Sequence, residues 1–121
     1  MKIKDIEVDF DFFDADDAER FENEAKIIKE QSEKKKKENL SYPEAIREEC
    51  KVIEDFFDKV FGEGVSQKLF NGKKNLAEHI KTFEDIIQAK LEKQKDLQNT
   101  FDRYMPNREQ RRNNKFNRNR R

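Results

Sequence analysis

The chain opens with a segment in which apolar and acidic residues alternate. A period of two residues is typical of a β-strand that buries one face, so the pattern predicts a strand over residues 3–12 within an N-terminal arm of residues 1–13. A single strand leaves its backbone groups unpaired, and we expect it to pair with a cryptic short strand, a second copy or another protein. The side chains expected to contact such a partner are Val8, Phe10 and Phe12.

The following part of the chain carries apolar residues at the three- and four-residue spacing of helices. A first helix is expected to begin at Asp14 or Asp16, whose side chains suit a helix cap, and to fade into the lysine run at 34–37. The sequence Ser41-Tyr42-Pro43-Glu44 is a capping box with a proline in the first turn, which predicts the start of a second helix. That helix is expected to end at Gly62.

A short helical segment and a third long helix complete the predicted body. Residues 65–70 fit one or two helical turns, and Asn75 is placed to cap the long helix that follows. The apolar stripe of that helix becomes sparse after Leu91, so its last part is expected to project from the body or to pair with another chain. We therefore predict a mainly α fold, with three main helices in a small bundle over residues 14–104.

The composition predicts a small core held together by aromatic residues. Charged residues make up 45% of the chain and hydrophobic residues 33%, and eleven residues are Phe. Each buried aromatic side chain removes roughly 150–250 Å² of surface from water, so a few Phe residues are enough to hold helices together. We expect some apolar surface to remain for a partner protein or for a second copy of the chain.

Charge is distributed unevenly, although the net charge is zero. Residues 1–24 contain ten acids and three bases, whereas residues 103–121 contain eight bases and one acid. Residues 105–121 are predicted to form a flexible basic tail that is disordered in isolation. Two roles stay open for this tail: nucleic-acid binding, or a solubilising or protein-docking segment. Its basic residues are Arg108, Arg111, Arg112, Lys115, Arg118, Arg120 and Arg121.

The chemically reactive residues do not form a recognisable catalytic or metal-binding set. Cys50 is the single cysteine and shares the apolar face of the second helix, which predicts a small buried hydrophobe. His79 is the single histidine and is expected to pack at or near the core. The acids at 14–17 lack the glycine and glutamate of a calcium loop. We expect no enzymatic activity, cofactor or metal, and, without a membrane span or signal segment, a cytoplasmic location.

Three segments resemble a family of small tail-region proteins of phages and prophages of Gram-positive bacteria. They are FFDKVFGEG at 56–64, KLFNG at 68–72 and YMPNREQRR at 104–112. Asn75-Leu76, the helix containing Phe83 and the acidic opening strand extend the resemblance over most of the chain. The resemblance implies a non-enzymatic tail assembly chaperone, which binds a tail protein such as the tape measure protein in the host cytoplasm. Two alternatives remain: a nucleic-acid-binding accessory protein that acts through the basic tail, and a structural tail or connector component of the virion.

Overall fold

The computed structural model describes residues 1–36 and 39–104. Within these residues the elements are β1 (Lys2–Ile3), β2 (Ile6–Glu7), α1 (Ala15–Lys36), α2 (Tyr42–Phe61), α3 (Val65–Phe70) and α4 (Leu76–Tyr104). The fold is mainly helical, as predicted, with three long helices and one short helix. The helices form a small bundle in which α2 contacts α1, α3 and α4.

The helices begin at the capping residues that the sequence predicts. The side-chain oxygen of Asp14 accepts a hydrogen bond from the backbone N–H of residue 17 at 3.0 Å, and Ser41 Oγ accepts one from the N–H of residue 44 at 3.3 Å. Asn75 Oδ1 does the same for the N–H of residue 78 at 3.1 Å. Each bond satisfies a donor that the first turn of a helix leaves unpaired. The predicted starts of the three long helices are therefore confirmed.

Helix α2 ends at the predicted glycine. Gly62 has a φ of 127°, which a side chain would strain, and its N–H donates to the carbonyl of Asp58 at 3.1 Å. The Asp58 carboxylate then accepts the backbone N–H and the hydroxyl of Ser66 at 2.8 and 2.9 Å. Asp58 thereby ties the end of α2 to the first turn of α3. Helix α3 closes at Asn71, which adopts the left-handed conformation.

Phenylalanine rings connect the three long helices. Phe21 of α1 meets Phe56 of α2 edge to face at a centroid distance of 5.3 Å, and Phe56 meets Phe83 of α4 at 5.1 Å. Such contacts suit the charge distribution of the rings and add about 0.5–1.5 kcal/mol each beyond the burial of area. The predicted aromatic core is confirmed. The buried phenylalanines of the described residues are Phe10, Phe21, Phe56, Phe57, Phe61 and Phe70.

The N-terminal segment forms a hairpin. β1 and β2 pair antiparallel, and the chain reverses at Lys4 and Asp5, whose φ angles are 49° and 68°. Positive φ at both central residues is the geometry of a two-residue turn that matches the twist of the flanking strands. The prediction of one continuous strand over residues 3–12 is wrong, because the chain turns back on itself. Val8 still bonds to Met1 opposite it, and residues 9–12 follow without strand pairing.

Lys4 holds this hairpin against the helices. Its Nζ donates to the carbonyl oxygen of Leu69 at 3.2 Å and to the carboxylate of Glu78. The same ammonium group lies 5.2 Å from the centre of the Phe70 ring, within the range of a cation–π contact. One side chain of the turn therefore contacts the end of α3 and the start of α4.

The last part of α4 extends beyond the body. The helix has 29 residues, which corresponds to about 44 Å. Lys90 reaches Glu22 of α1 at 3.9 Å, and beyond it most side chains are exposed, with Leu97 half-buried. The sparse stripe predicts this arrangement. In the described part of the chain, no helix combines the length and the apolar character that a membrane span requires.

Candidate protein-binding groove

The first turns of α2 and α4 enclose an open apolar groove of about 590 Å³. Its two most exposed apolar residues are Tyr42, which is 81% exposed, and Ile80, which is 42% exposed. Two residues of opposite charge, Glu49 and Lys74, also line it. The apolar residues of this α2–α4 groove are Tyr42, Ala45, Ile46, Leu76, Ala77 and Ile80. An apolar concave surface with few charged groups is the usual character of a binding site for an apolar ligand or side chain.

A buried histidine fixes α4 against α2 next to the groove. The His79 residue is 1% exposed, its Nε2 lies 2.8 Å from Oε2 of Glu54, and its Nδ1 lies 2.7 Å from the carbonyl oxygen of Asn75. A carbonyl oxygen only accepts, so Nδ1 carries a proton and donates it. The ring also stacks on Phe70 of α3, at a centroid distance of 3.7 Å. The prediction of a packing histidine is confirmed.

Lys74 links the groove to this histidine. Its Nζ donates to both carboxylate oxygens of Glu54, at 2.7 and 2.8 Å, so the carboxylate bridges Lys74 and His79. Long basic side chains cover apolar surface with their carbon stems while their charged ends form pairs. The wall of the groove next to α4 is therefore held in place by side-chain contacts to α2.

Cys50 lies one helical turn before Glu54 and is fully buried. Burial, and to a lesser degree the charge of the Glu54 carboxylate, raise the pKa of its thiol. A protonated thiol is a poor nucleophile and a poor metal ligand. Cys50 therefore packs as the small buried hydrophobe that the sequence predicts.

A second depression lies between α1 and α2 and has a more polar lining. Ile27 is 38% exposed there, but charged residues surround it. These are Glu24, Glu48, Lys51, Asp55 and Lys59. Charged groups resist the loss of water that binding an apolar surface requires. Of the two depressions, the α2–α4 groove is the better candidate for binding a partner.

Two of the residues predicted to contact a partner lie in the core of their own chain. Val8 is 5% exposed and Phe10 is 6% exposed. The N–H of Val8 donates to the carbonyl oxygen of Met1 at 2.8 Å, and the Phe10 ring meets that of Phe61 at 4.8 Å. Partner binding by these two residues stays a prediction that would require the segment to leave the core.

The third residue, Phe12, is half-buried and lies at the surface. It lines a small crevice between the start of α1 and the last part of α4, together with Phe13, Phe21 and Leu97. Phe13 is 51% exposed, and the Lys93 ammonium group lies 5.9 Å from its ring centre. This Phe13–Leu97 crevice is a second apolar surface, separate from the α2–α4 groove.

The acids near the start of α1 serve the local structure. The Asp17 carboxylate accepts the backbone N–H of Asp11 at 3.0 Å and pairs with Arg20 at 2.8 Å. These contacts, the backbone bond first, hold the pKa of Asp17 below its ordinary value. Across residues 1–36 and 39–104, no group of three or more His, Cys, Asp or Glu residues is placed to hold a metal ion.

The predicted basic tail lies outside the described residues. Its role in nucleic-acid binding stays a prediction. The residues concerned are Arg108, Arg111, Arg112, Lys115, Arg118, Arg120 and Arg121.

The sequence contains only a weak signal for the α2–α4 groove. Tyr42 stands inside a capping box, whose hydrogen bonds do not involve its aromatic ring. Ile80 shares the apolar stripe of the predicted third long helix with Phe83 and Ile87, so the stripe does not indicate that it is 42% exposed. The two side chains are far apart in the sequence, and their proximity follows only from the packing of α4 on α2.

A family model described as a family of unknown function (DUF6673) matches residues 4–115. No curated protein matches the chain, and no solved structure matches it.

Proposed function

Because the chain belongs to DUF6673, a family of unknown function, we propose a function from its own surface: a non-enzymatic assembly factor that binds a helical segment of a partner protein in the α2–α4 groove. The observation that carries this proposal is the exposure of Tyr42 and Ile80 on two helices that a buried polar network fixes side by side. Because contacts within the chain already hold the two helices together, binding does not have to bring them into place, which limits its entropic cost.

The shape of the groove favours a helix as the bound segment. Two helices flank the groove, and an amphipathic helix can insert apolar side chains spaced three and four residues apart between them. Full burial of one large apolar side chain contributes about 1.5–3 kcal/mol. A few anchors on the partner, packed against Tyr42, Ile46 and Ile80, therefore supply enough free energy for specific binding.

The charges that line the groove fit a polar border around an apolar centre. Glu49 accepts a hydrogen bond from Ser32 of α1 at 3.0 Å, and Lys74 pairs with Glu54. Both charged groups already have partners in the chain. A partner helix therefore does not need to supply a countercharge, and the apolar side chains are expected to dominate its affinity.

The class of partner rests on the resemblance to phage and prophage tail-region proteins. In that setting the partner is a tail protein such as the tape measure protein, and the chain acts as a tail assembly chaperone in the host cytoplasm. A structural component of the tail or connector would use the same kind of groove. Its presence in purified virions distinguishes it from a chaperone, which leaves the assembled tail.

The test is co-purification of the full-length chain with the tape measure protein from the same phage or prophage genome. The variant Tyr42→Ser/Ile80→Asp is expected to lower the affinity about tenfold or more, because it removes two exposed anchors. Ile27→Asp is a matched control, since Ile27 is also a partly exposed isoleucine, at 38%, but lies on α1 away from the groove.

The outcomes separate the candidate functions. Retention of the tape measure protein by the wild type and by Ile27→Asp, with loss in the groove variant, supports the proposal. Equal retention by the groove variant contradicts it. Retention of RNA or DNA that ends when residues 105–121 are removed, without retention of a tail protein, supports the nucleic-acid alternative instead.

A further inference from the structure

The surface-exposed end of α4 continues the stripe that packs the helix onto the body. Phe83 and Ile87 are partly buried and pack against the core, and the positions that follow at alternating three- and four-residue steps are 90, 94, 97, 101 and 104. This spacing is the seam of a two-helix coiled coil. The side chains at these positions are Lys90, Gln94, Leu97, Phe101 and Tyr104.

Among residues 1–36 and 39–104, side chains cover only the first part of this seam. Lys90 lies 5.5 Å from the ring centre of Phe21, and Leu97 lines the Phe13–Leu97 crevice. Beyond it, Phe101 is 51% exposed and Tyr104 is 81% exposed. Two large aromatic residues on one helix face therefore lie past the end of the body, on the same face as a half-open apolar crevice.

We propose that a second copy of the chain covers this surface, with the two α4 helices antiparallel. In the antiparallel register that keeps the seam intact, Leu97 meets Phe101 of the partner subunit and Gln94 meets the partner's Tyr104. Phe101 and Tyr104 of each copy thereby lie opposite Leu97 and Gln94, which line the crevice of the other copy. The contact between the two helices extends over residues 97–104 of each, which span about 10 Å along the helix. The surface is self-complementary, as a two-fold interface requires.

The charges of the seam permit this contact. Leu97, Phe101 and Tyr104 are uncharged, so no like charges meet at its centre. Lys90, at the body end of the seam, already pairs with Glu22, and Lys93 lies over the Phe13 ring. The Gln94 amide provides a hydrogen-bonding group opposite the partner's Tyr104 hydroxyl.

The area available predicts a weak dimer. Phe13, Phe101 and Tyr104 each have roughly 150–250 Å² of surface, and at their exposures they offer about 400 Å² per copy. Both copies together reach about 800 Å², below the 1,200 Å² or so of a stable interface. We therefore expect a concentration-dependent dimer with a Kd on the order of 10–100 µM.

The dimer does not depend on the proposed function. The dimer surface lies near the C-terminal end of α4, whereas the α2–α4 groove lies near its N-terminal end. Each dimer would carry two grooves. Two grooves that bind one long helical partner at neighbouring segments gain affinity through effective concentration, without further contacts. A weak dimer can therefore strengthen the binding of a repetitive partner.

Sedimentation equilibrium of the full-length chain tests the dimer. The apparent mass of the wild type is expected to rise from 14.7 kDa towards twice this value as concentration increases through the range of the Kd. Phe101→Asp is expected to keep the mass at 14.7 kDa and to leave the helix content unchanged, since the side chain is exposed. Tyr42→Ser is the control and should dimerise like the wild type. A monomeric wild type, or a dimer that Phe101→Asp does not weaken, overturns the proposal.

Cross-linking tests the antiparallel register. Residue 98 flanks the seam near the two-fold axis, so Gln98→Cys is expected to form an intermolecular disulfide under mild oxidation. Glu92→Cys, on the solvent side of α4, is the control and should link more slowly by at least tenfold. The native Cys50 thiol is fully buried and does not interfere. Equal rates for the two variants contradict the antiparallel contact, even if the chain dimerises.

Discussion

The Glu54 carboxylate lies 2.8 Å from Nε2 of His79 and joins the middle of α2 to the first turns of α4. The pair is shielded from water, since the His79 side chain is 1% exposed and that of Glu54 18%. The backbone carbonyl oxygen of Asn75 accepts a hydrogen bond from Nδ1, and the Phe70 ring stacks on the imidazole, so the histidine is held from three directions. This arrangement sets the position of the α2–α4 groove.

Removal of the carboxylate should loosen the bundle. Glu54→Ala leaves Nε2 of His79 without its partner in a buried site, which typically costs about 1–3 kcal/mol of unfolding free energy. Urea unfolding followed by far-UV circular dichroism measures the change, and it suits a chain that lacks tryptophan. Glu92→Ala, at an exposed position of α4, is the control and is expected to change stability by less than about 0.5 kcal/mol. Equal effects of the two substitutions would show that the pair does not stabilise the fold.

Local sequence signals predict the helix boundaries well, because the stabilising contacts are also local. Ser41 and Asn75 cap helices through residues three positions later, and Gly62 ends α2 through a residue four positions earlier. The Glu54–His79 contact joins residues 25 positions apart. No periodicity identifies such a pair, so the sequence predicts that His79 packs but not what holds it.

The N-terminal segment illustrates a second limit of sequence patterns. Alternation of apolar and polar residues predicts which side chains are buried, and Val8 and Phe10 are indeed buried. It does not distinguish a paired strand from an extended segment that packs on helices, since both place successive side chains on opposite sides. The turn at Lys4 and Asp5 lacks the glycine or asparagine that usually indicates a hairpin.

A glycine in this turn should stabilise the protein. Asp5 has a φ of 68°, a conformation that costs most side chains roughly 1 kcal/mol and costs glycine nothing. Asp5→Gly is therefore expected to raise the unfolding free energy by about 0.5–1 kcal/mol, as measured by urea unfolding. Asp9→Gly is the matched control: Asp9 has no positive φ, so the glycine should destabilise or have no effect. A loss of stability in Asp5→Gly would contradict the turn geometry.

Acid should release the N-terminal segment before the helices unfold. The hydrogen bond from Lys4 holds the pKa of Glu78 below its ordinary value, and the hydrogen bond from the N-terminal ammonium group does so for Glu7. A carboxyl group whose pKa is lower in the folded than in the unfolded state stabilises the fold at any pH above its unfolded-state pKa. This contribution is lost as the pH falls through the pKa of the folded state. We expect the loss between about pH 5 and pH 3.

Amide hydrogen exchange measures this release. The N–H of Val8, bonded to Met1, should lose protection on acidification while amides in the middle of α2 keep theirs. Lys4→Met removes the partner of Glu78 and is expected to weaken the protection of Val8 at neutral pH as well. Protection of Val8 that persists unchanged to pH 3 would contradict the proposed role of these carboxylates.

The most direct test of the central claim is NMR of the full-length chain with labelled isoleucine methyl groups. Ile46 and Ile80 report on the α2–α4 groove, and Ile27 on α1 serves as an internal control. On titration with overlapping peptides of the tape measure protein from the same genome, we expect at least one helical peptide to shift the signals of Ile46 and Ile80 and to leave that of Ile27 unchanged. Peptides that bind without shifting Ile46 or Ile80, or a complete set that causes no shift at saturating concentration, would contradict it.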